Sequence, residues 1–332
     1  MGNKLNNSKP SSSFRVFATT VKRGEANPEM TGFLLEIDWA RNCVIRQIPI
    51  PMDTTNPYWN SRGGNRGGRG IVATKTKLFV ATATSILVYN QNLDQIGEIS
   101  HPYLAGLHEL FIDHDGIWVT STVHDLVMKL DFNGAIIDTW WGSESLLLQK
   151  YFGFSGRELN LSMSFPEATF EKQYDEYCKD ERLHINSVFA QEGSVYVLCN
   201  RKNAIIKIRP LPEEIIIVDN ELHSPHNLII TSEGIAVVNN TQKQSINIYD
   251  LRQYRLLTEI GTGIFDQSES EQFASSGWQR GLAPVKDSIY LVGTSPAAIF
   301  EVDISTNKIG QICHIDSDVR HCIHGLAVTT DF

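Results

Sequence analysis

Residues 234–260 read GIAVVNNTQKQSINIYDLRQYRLLTEI, and this unit decides the fold. An apolar run, Ile235 to Val238, leads into the polar stretch Asn239-Asn240-Thr241. A second run follows in which Ile246 and Ile248 alternate with polar residues; then come a turn at Asp250 and a third run ending at Ile260. Period-two alternation rich in β-branched residues, bounded by Asp, Asn and Gly, predicts short half-buried strands. The unit recurs at 77–99, 116–140, 194–208 and 288–312, with TAT, TST, LCN and VGT in place of VNN. Helical periodicity is scarce, being clearest at 143–150 and weaker around 167–179.

One more strand lies upstream of each unit and carries a signature: Arg69-Gly-Ile71, His108-Glu-Leu110, His184-Ile-Asn186, His226-Asn-Leu228 and Arg280-Gly-Leu282. A sixth, His324-Gly-Leu326, sits in the terminal IHGLAVTTDF with no unit after it. The chain start supplies the missing part in three apolar runs, 14–20, 32–39 and 43–50. The C-terminal strand is therefore expected to complete the first unit, as a ring of radial sheets requires. The expected fold is all-β: one six-bladed β-propeller over 14–332, closed by pairing of the N-terminal strands with the C-terminal strand. Residues 1–13 are expected to be a disordered tail, and 142–181 an aromatic-rich insertion. Units of roughly 46 residues match the spacing of propeller blades. A doubly wound fold would need helices between the strands, and these are missing.

Composition narrows the function classes. The 332 residues carry 29 Lys+Arg against 38 Asp+Glu, a net charge of -9, which speaks against nucleic acid as a partner. No apolar run reaches the length of a membrane helix, so no membrane association is expected. Five scattered cysteines, with no CxxC, make neither a disulfide framework nor a zinc site. A reducing, cytoplasmic location follows as the expectation. The Met-Gly start lacks the Ser or Thr that a myristoylation site wants at position 6, where Asn6 stands.

The innermost strand of each blade lines a propeller's channel. Arg69, His108, His184, His226, Arg280 and His324 are thus expected to converge at one end of it. Three readings stay open. The residues plug a wet channel; or His108, His184, His226 and His324 bind a divalent metal (Fe, Zn, Mn or Cu), with Glu109, Asn186 and Asn227 as outer or additional ligands; or Arg69 and Arg280 grip an anion without a metal while a histidine serves as base or nucleophile. The leading expectation is a metal-dependent lyase or hydrolase acting on a small organic anion, with His226, His184, Arg280 and Arg69 as catalytic residues. The competing class is a scaffold whose outer surfaces or 142–181 loop bind a protein partner.

Weaker signals have ordinary explanations. RGGNRGGRG (62–70) reads as a flexible loop over the channel mouth. His321-Cys322 reads as a core pair, His124-Asp125 as a hairpin turn, and His223 as part of a turn before Pro225. The aromatic insertion reads either as a lid or as packing.

The series GLHEL, RLHIN, SPHN, QRGLA and HGLA, over 106–330, resembles a bacterial family of six-bladed propeller proteins without a settled activity. In general plan the chain is similar to virginiamycin B lyase, with its His residues and acidic residue near a metal at the channel mouth. It is also similar to arylsulfotransferases, which use His and Arg, one His accepting the sulfo group. These resemblances imply a propeller and a site at the channel mouth.

Overall fold

The computed structural model describes residues 14–25, 27–51, 67–156, 181–264, 270–271 and 274–330. Among them, six four-stranded antiparallel sheets and one two-stranded hairpin hold the strands. Each large sheet is a blade. Blade 1 runs outward from His321–Thr329 through Arg15–Lys22 and Phe33–Asp38 to Cys43–Pro49. The other five take four consecutive strands each, innermost first. Blade 2 begins with Ile71–Ala73, blade 3 with Leu107–Asp113 and blade 4 with Ile185–Gln191; Pro225–Ile230 opens blade 5 and Gln279–Lys286 blade 6. Each innermost strand packs against those of both neighbouring blades, which closes the circle.

Strand alternation explains why the blades stack. Successive side chains point to opposite faces of a sheet. Val16 and Ala18 therefore pack with Leu291 and Ile299 of blade 6, while Phe17 between them packs with Leu78 and Val80 of blade 2. Six buried clusters result, one at each blade interface. Burying a Phe17- or Leu35-sized side chain contributes about 1.5–3 kcal/mol. The ring is sealed where Arg15–Lys22 pairs with His321–Thr329, from Arg15↔Thr329 to Lys22↔His321. The expected closure is the observed one.

Glycine is required where inner strands nearly touch. A Cβ on Gly325 would lie 2.2 Å from the Arg69 carbonyl oxygen and 2.8 Å from Thr19 Oγ1. Gly67, at φ +55°, would drive a Cβ to 2.2 Å from the Thr20 oxygen. The glycines at the Arg69 end of the 62–70 run thus serve close approach of backbones.

In the insertion, the expected helix forms at Leu146–Phe152, capped by Ser145 and ended by Gly153 at φ +67°. The tail 1–13, the second helical stretch at 167–179 and the aromatics Phe165, Phe170, Tyr174 and Tyr177 lie outside the described residues. Trp140 is anchored by its Nε1–H donating to Glu213 at 2.6 Å. Phe152 and Phe154 pack against the cluster between blades 3 and 4, the packing alternative for this part of the loop.

Candidate functional site

A β-bulge in five of the inner strands builds the channel end. In blade 3, Leu107 pairs with Ser121 and Leu110 with Val119, so His108 and Glu109 share one partner position. Blade 5 leaves Asn227 unpaired between His226 and Leu228; blade 6 skips Arg280 and Gly281; blade 1 skips His324. An extra residue bends a strand and re-aims its side chains. The left-handed φ of Asn227 (+54°) and Gly281 (+77°) is part of that bend.

Blade 4 departs from the expected alignment. Cys199 and Asn240 hold equivalent places beside their turns, and their partners are Ile185 and Pro225. One step on lie Asn186 and His226, so Asn186, not His184, is the register equivalent of His226. His184 precedes the strand with φ +52°. It still reaches the ring, with its centroid 5.1 Å from that of His108. The other ring separations are 5.7 Å for His108–His324, 6.2 Å for His108–His226 and 6.4 Å for His226–His324.

Hydrogen bonds fix these imidazoles. Thr122 Oγ1 donates its proton to the Ile185 carbonyl at 2.5 Å, so it accepts from His108 Nδ1–H at 3.0 Å. Gly106 O accepts from the same nitrogen at 2.9 Å. Blade 5 repeats the device: Thr241 Oγ1 donates to Gln279 O at 2.8 Å and accepts from His226 Nδ1–H, with Ser224 O as the second acceptor. Both rings therefore carry Nδ1–H and leave the Nε2 lone pair available. His184 is held differently, its Nδ1 lying 2.6 Å from Glu181 Oε2. Glu181 is almost fully buried and also faces Arg201 at 3.3 Å.

A residue outside the ring positions this dyad. The buried Asp125 carboxylate accepts the backbone N–H groups of Arg182, Leu183 and His184 at 2.6, 3.1 and 3.0 Å. Its own backbone is left-handed, at φ +49°. The sequence signal for it was only an Asp in a turn, which reads as local hairpin chemistry; its targets lie some 58 residues away.

The electrostatics of the ring are cationic. Burial, and then the charge of a nearby arginine, push His226, His324 and His108 well below the ordinary histidine range: Arg280 acts on the first two and Arg69 on the third. Burial and then Arg23 pull Arg280 down to about 9, which leaves it charged at neutral pH. Arg23 was not foreseen; it lies in a turn after the Arg15–Lys22 strand, outside every repeat signature. Its charge also acts on His226 and His324. The Nε atoms of Arg23 and Arg280 and Nδ1 of His324 are buried with no hydrogen-bond partner. Arg280 stands over the Trp278 ring at 5.7 Å. Arg69 Nη1 donates to Leu107 O at 2.7 Å and lies 3.5 Å from His108 Nδ1, donor beside donor.

The metal reading can be tested on donor spacing. Among the described residues, the group of His, Cys, Asp and Glu whose ligand atoms all lie within 4.8 Å is Asp113, His114 and Asp115, an exposed turn. Lys129 Nζ already sits in that turn, 2.8 Å from Asp113 and 2.5 Å from Asp115. His108, His184, His226 and His324 do not form such a group. Of the expected outer ligands, Asn227 is engaged at both amide atoms, Oδ1 accepting from Gly281 N–H and Nδ2 donating to Glu109 Oε2 at 2.5 Å; Asn186 donates Nδ2 to Pro225 O at 2.7 Å, but its Oδ1, the atom a metal would take, is buried without a partner. Burial pushes Glu109 up to about 7.

The secondary candidates fall into place. His321 bonds Asp316 at 2.7 Å and the buried Thr20 hydroxyl at 2.8 Å, a structural bridge. Cys322 is not paired with it; its thiol donates to Val21 O at 3.3 Å and lies beside Arg280. His223 is exposed.

Fold and site together define a six-bladed β-propeller with a cationic, imidazole-lined channel end. No protein-family model matches the chain, and no curated protein does. Solved structures do match. A protein of unknown function from Bacteroides caccae superposes with a TM-score of 0.58 at 9% identity, covering 96% of this chain and 99% of that one. A chain of a nidogen/laminin complex gives 0.58 at 11% identity, with 96% and 98% covered. Virginiamycin B lyase from Staphylococcus aureus, with quinupristin, gives 0.49 at 14% identity over 76% of this chain and 72% of that one. The first two likenesses establish the propeller and nothing finer. No helix among the described residues is long and apolar enough to cross a membrane.

Proposed function

We propose that the His/Arg end of the channel binds a small organic anion, and that His184, backed by Glu181, moves a proton on it in an elimination or hydrolysis. One observation carries this reading. The buried Nε atoms of Arg23 and Arg280, which have no hydrogen-bond partner, lie with Arg69 beside imidazoles that burial keeps neutral. Buried donors without acceptors are costly, about 1–3 kcal/mol each, and an anionic ligand would satisfy them. It would also relieve the repulsion between the arginines, and the guanidinium forks suit carboxylate, phosphate or sulfate. Glu181 holds Nδ1–H of His184 and so supports Nε2 as the base.

The test is thermal unfolding with sulfate, phosphate and small dicarboxylates at constant ionic strength. A saturable rise in Tm that is lost in Arg23→Gln and Arg280→Gln supports the pocket. No rise with any anion, or an undiminished rise in both variants, ends it. A substrate found by such screening should turn over at least tenfold more slowly with His184→Ala.

A second reading keeps a divalent metal, Zn, Fe, Mn or Cu. Its support is that His108 and His226 are anchored through Nδ1, as metal-binding imidazoles are, with Nε2 left over. The spacing of the donors and the three arginines weigh against it. Plasma mass spectrometry of untagged protein separates the readings: near-stoichiometric metal that disappears in His108→Ala and His226→Ala favours this one. In the scaffold alternative, Arg280→Gln leaves partner binding unchanged and deletion of 142–181 abolishes it.

A further inference from the structure

A cavity of about 260 Å³ lies further along the inner strands, on the side away from the His/Arg ring, with residues from all six blades in its wall. Leu110, Phe111, Phe189, Leu228, Leu282 and Leu326 are among them, and the only polar side chains are Glu109 and Asn227. Phe111 and Phe189 face each other with centroids 4.7 Å apart. Val72, Ala73, Ile112, Ile229 and Val328 are partly exposed, so the cavity is open at its far end.

The Glu109 carboxyl is held at the closed end by a one-way chain of hydrogen bonds. Asn227 Oδ1 accepts from Gly281 N–H at 2.9 Å and from Asn239 Nδ2 at 3.1 Å, which fixes the orientation of its amide. Asn227 Nδ2 must then face Glu109, and it donates to Oε2 at 2.5 Å. Oε1 accepts only a long bond, 3.3 Å, from its neighbour Leu110 N–H. Gly70 makes room: a Cβ there would come within 2.8 Å of Oε1. Among the described residues no Lys, Arg or His side chain pairs with this carboxyl, although Arg280, His108, His226 and His324 lie on the same inner strands.

We propose that this cavity is a second binding site, for a small primary amine with an apolar, preferably aromatic, body. The ammonium would meet Glu109 Oε1, and the body would lie against Phe111, Phe189 and the aliphatic wall. A buried carboxylate facing apolar walls selects a cation over an isosteric alcohol or acid, since only the cation balances its charge. The aromatic pair adds a surface that attracts cations and rings. The volume lies just below the usual range for small-molecule pockets, so the ligand is small.

The experiment is isothermal titration at pH 8 with 2-phenylethylamine, 2-phenylethanol and 3-phenylpropionate. The amine is expected to bind one-to-one and at least tenfold tighter than the alcohol, with the carboxylate weakest. Glu109→Gln should cost the amine at least tenfold and leave the alcohol within a factor of about three. Ala73→Phe, which fills the cavity mouth without touching the carboxyl, should remove binding of both and covers the case in which Glu109→Gln does not fold. Equal binding of amine and alcohol, or amine binding unchanged in either folded variant, overturns the proposal. Because Glu109 and Ala73 are not among the groups proposed to hold the anion, failure here leaves the anion pocket standing.

Discussion

Acidification from pH 6.5 to 5 should destabilise this protein more steeply than its many surface carboxylates would, and the ring sets the slope. His108, His226 and His324 have folded pKa values well below the ordinary 6.5, through burial and neighbouring arginines. In the unfolded chain each takes up a proton as pH falls through 6.5; in the folded chain none does until lower pH. The unfolded state thus binds more protons in this window. Stability is full above 6.5 and falls below it, by about 1.4 kcal/mol per proton per pH unit. Glu109 opposes this, because burial raises it to about 7 and the folded state keeps a proton that the unfolded carboxyl has released above 4.5. Asp125, pushed up mainly by burial, opposes it too. A net uptake of one to two protons remains, or about 1.4–2.7 kcal/mol per pH unit. The salt-bridged Asp318 and Glu214 are shifted down and act only at lower pH. Urea unfolding at pH 7, 6.5, 6, 5.5 and 5, in chloride buffers of fixed ionic strength, measures the slope. His226→Asn, which copies what blade 4 already carries at Asn186, should reduce it by about one proton. A flat profile, or stability rising toward pH 5, would refute the picture of neutral, buried imidazoles.

Other outcomes follow from single contacts. Asp125→Ala removes the acceptor of three backbone N–H groups and should cost about 3 kcal/mol or more, read by urea midpoint, while loosening Glu181 and His184. Gly325→Ala forces a Cβ to 2.2 Å from the Arg69 carbonyl, so we expect a Tm drop of over 10 °C or insoluble protein. Deleting 321–332 takes away the inner strand of blade 1, and circular dichroism should show loss of cooperative unfolding. Once a substrate is known, Glu181→Gln should lower kcat with little change in KM, because the histidine loses the carboxylate that orients it.

The number of blades, their order and the split first blade were all legible in the chain. Each strand's alternation records which side chains face which neighbouring blade, and the repeat of HGLA-like signatures records which strands are innermost. Arg69, His108, His226, Arg280 and His324 could be placed at one level for the same reason: they occupy one position of a repeat. The limits arose where register is not periodic. A bulge shifts the count by one, so His184 was aligned with His226 although Asn186 holds that place, and His184 reaches the ring from a left-handed residue ahead of the strand. Arg23 lies in a turn outside every repeat signature, and Asp125 holds a left-handed turn position where blades 4 and 5 carry Asn203 and Gln244; only the closed ring brings the one near Arg280 and the other under residues 182–184. Whether Glu109 joins the histidines or faces the other way was likewise undetermined by its place in the chain. It was decided by Asn227, whose amide is oriented by blade 6 and so bonds Glu109 from 118 residues away. Local periodicity fixes which strand face is buried; the partners of polar groups in a channel depend on six strands meeting at once, and that information exists only in the folded ring.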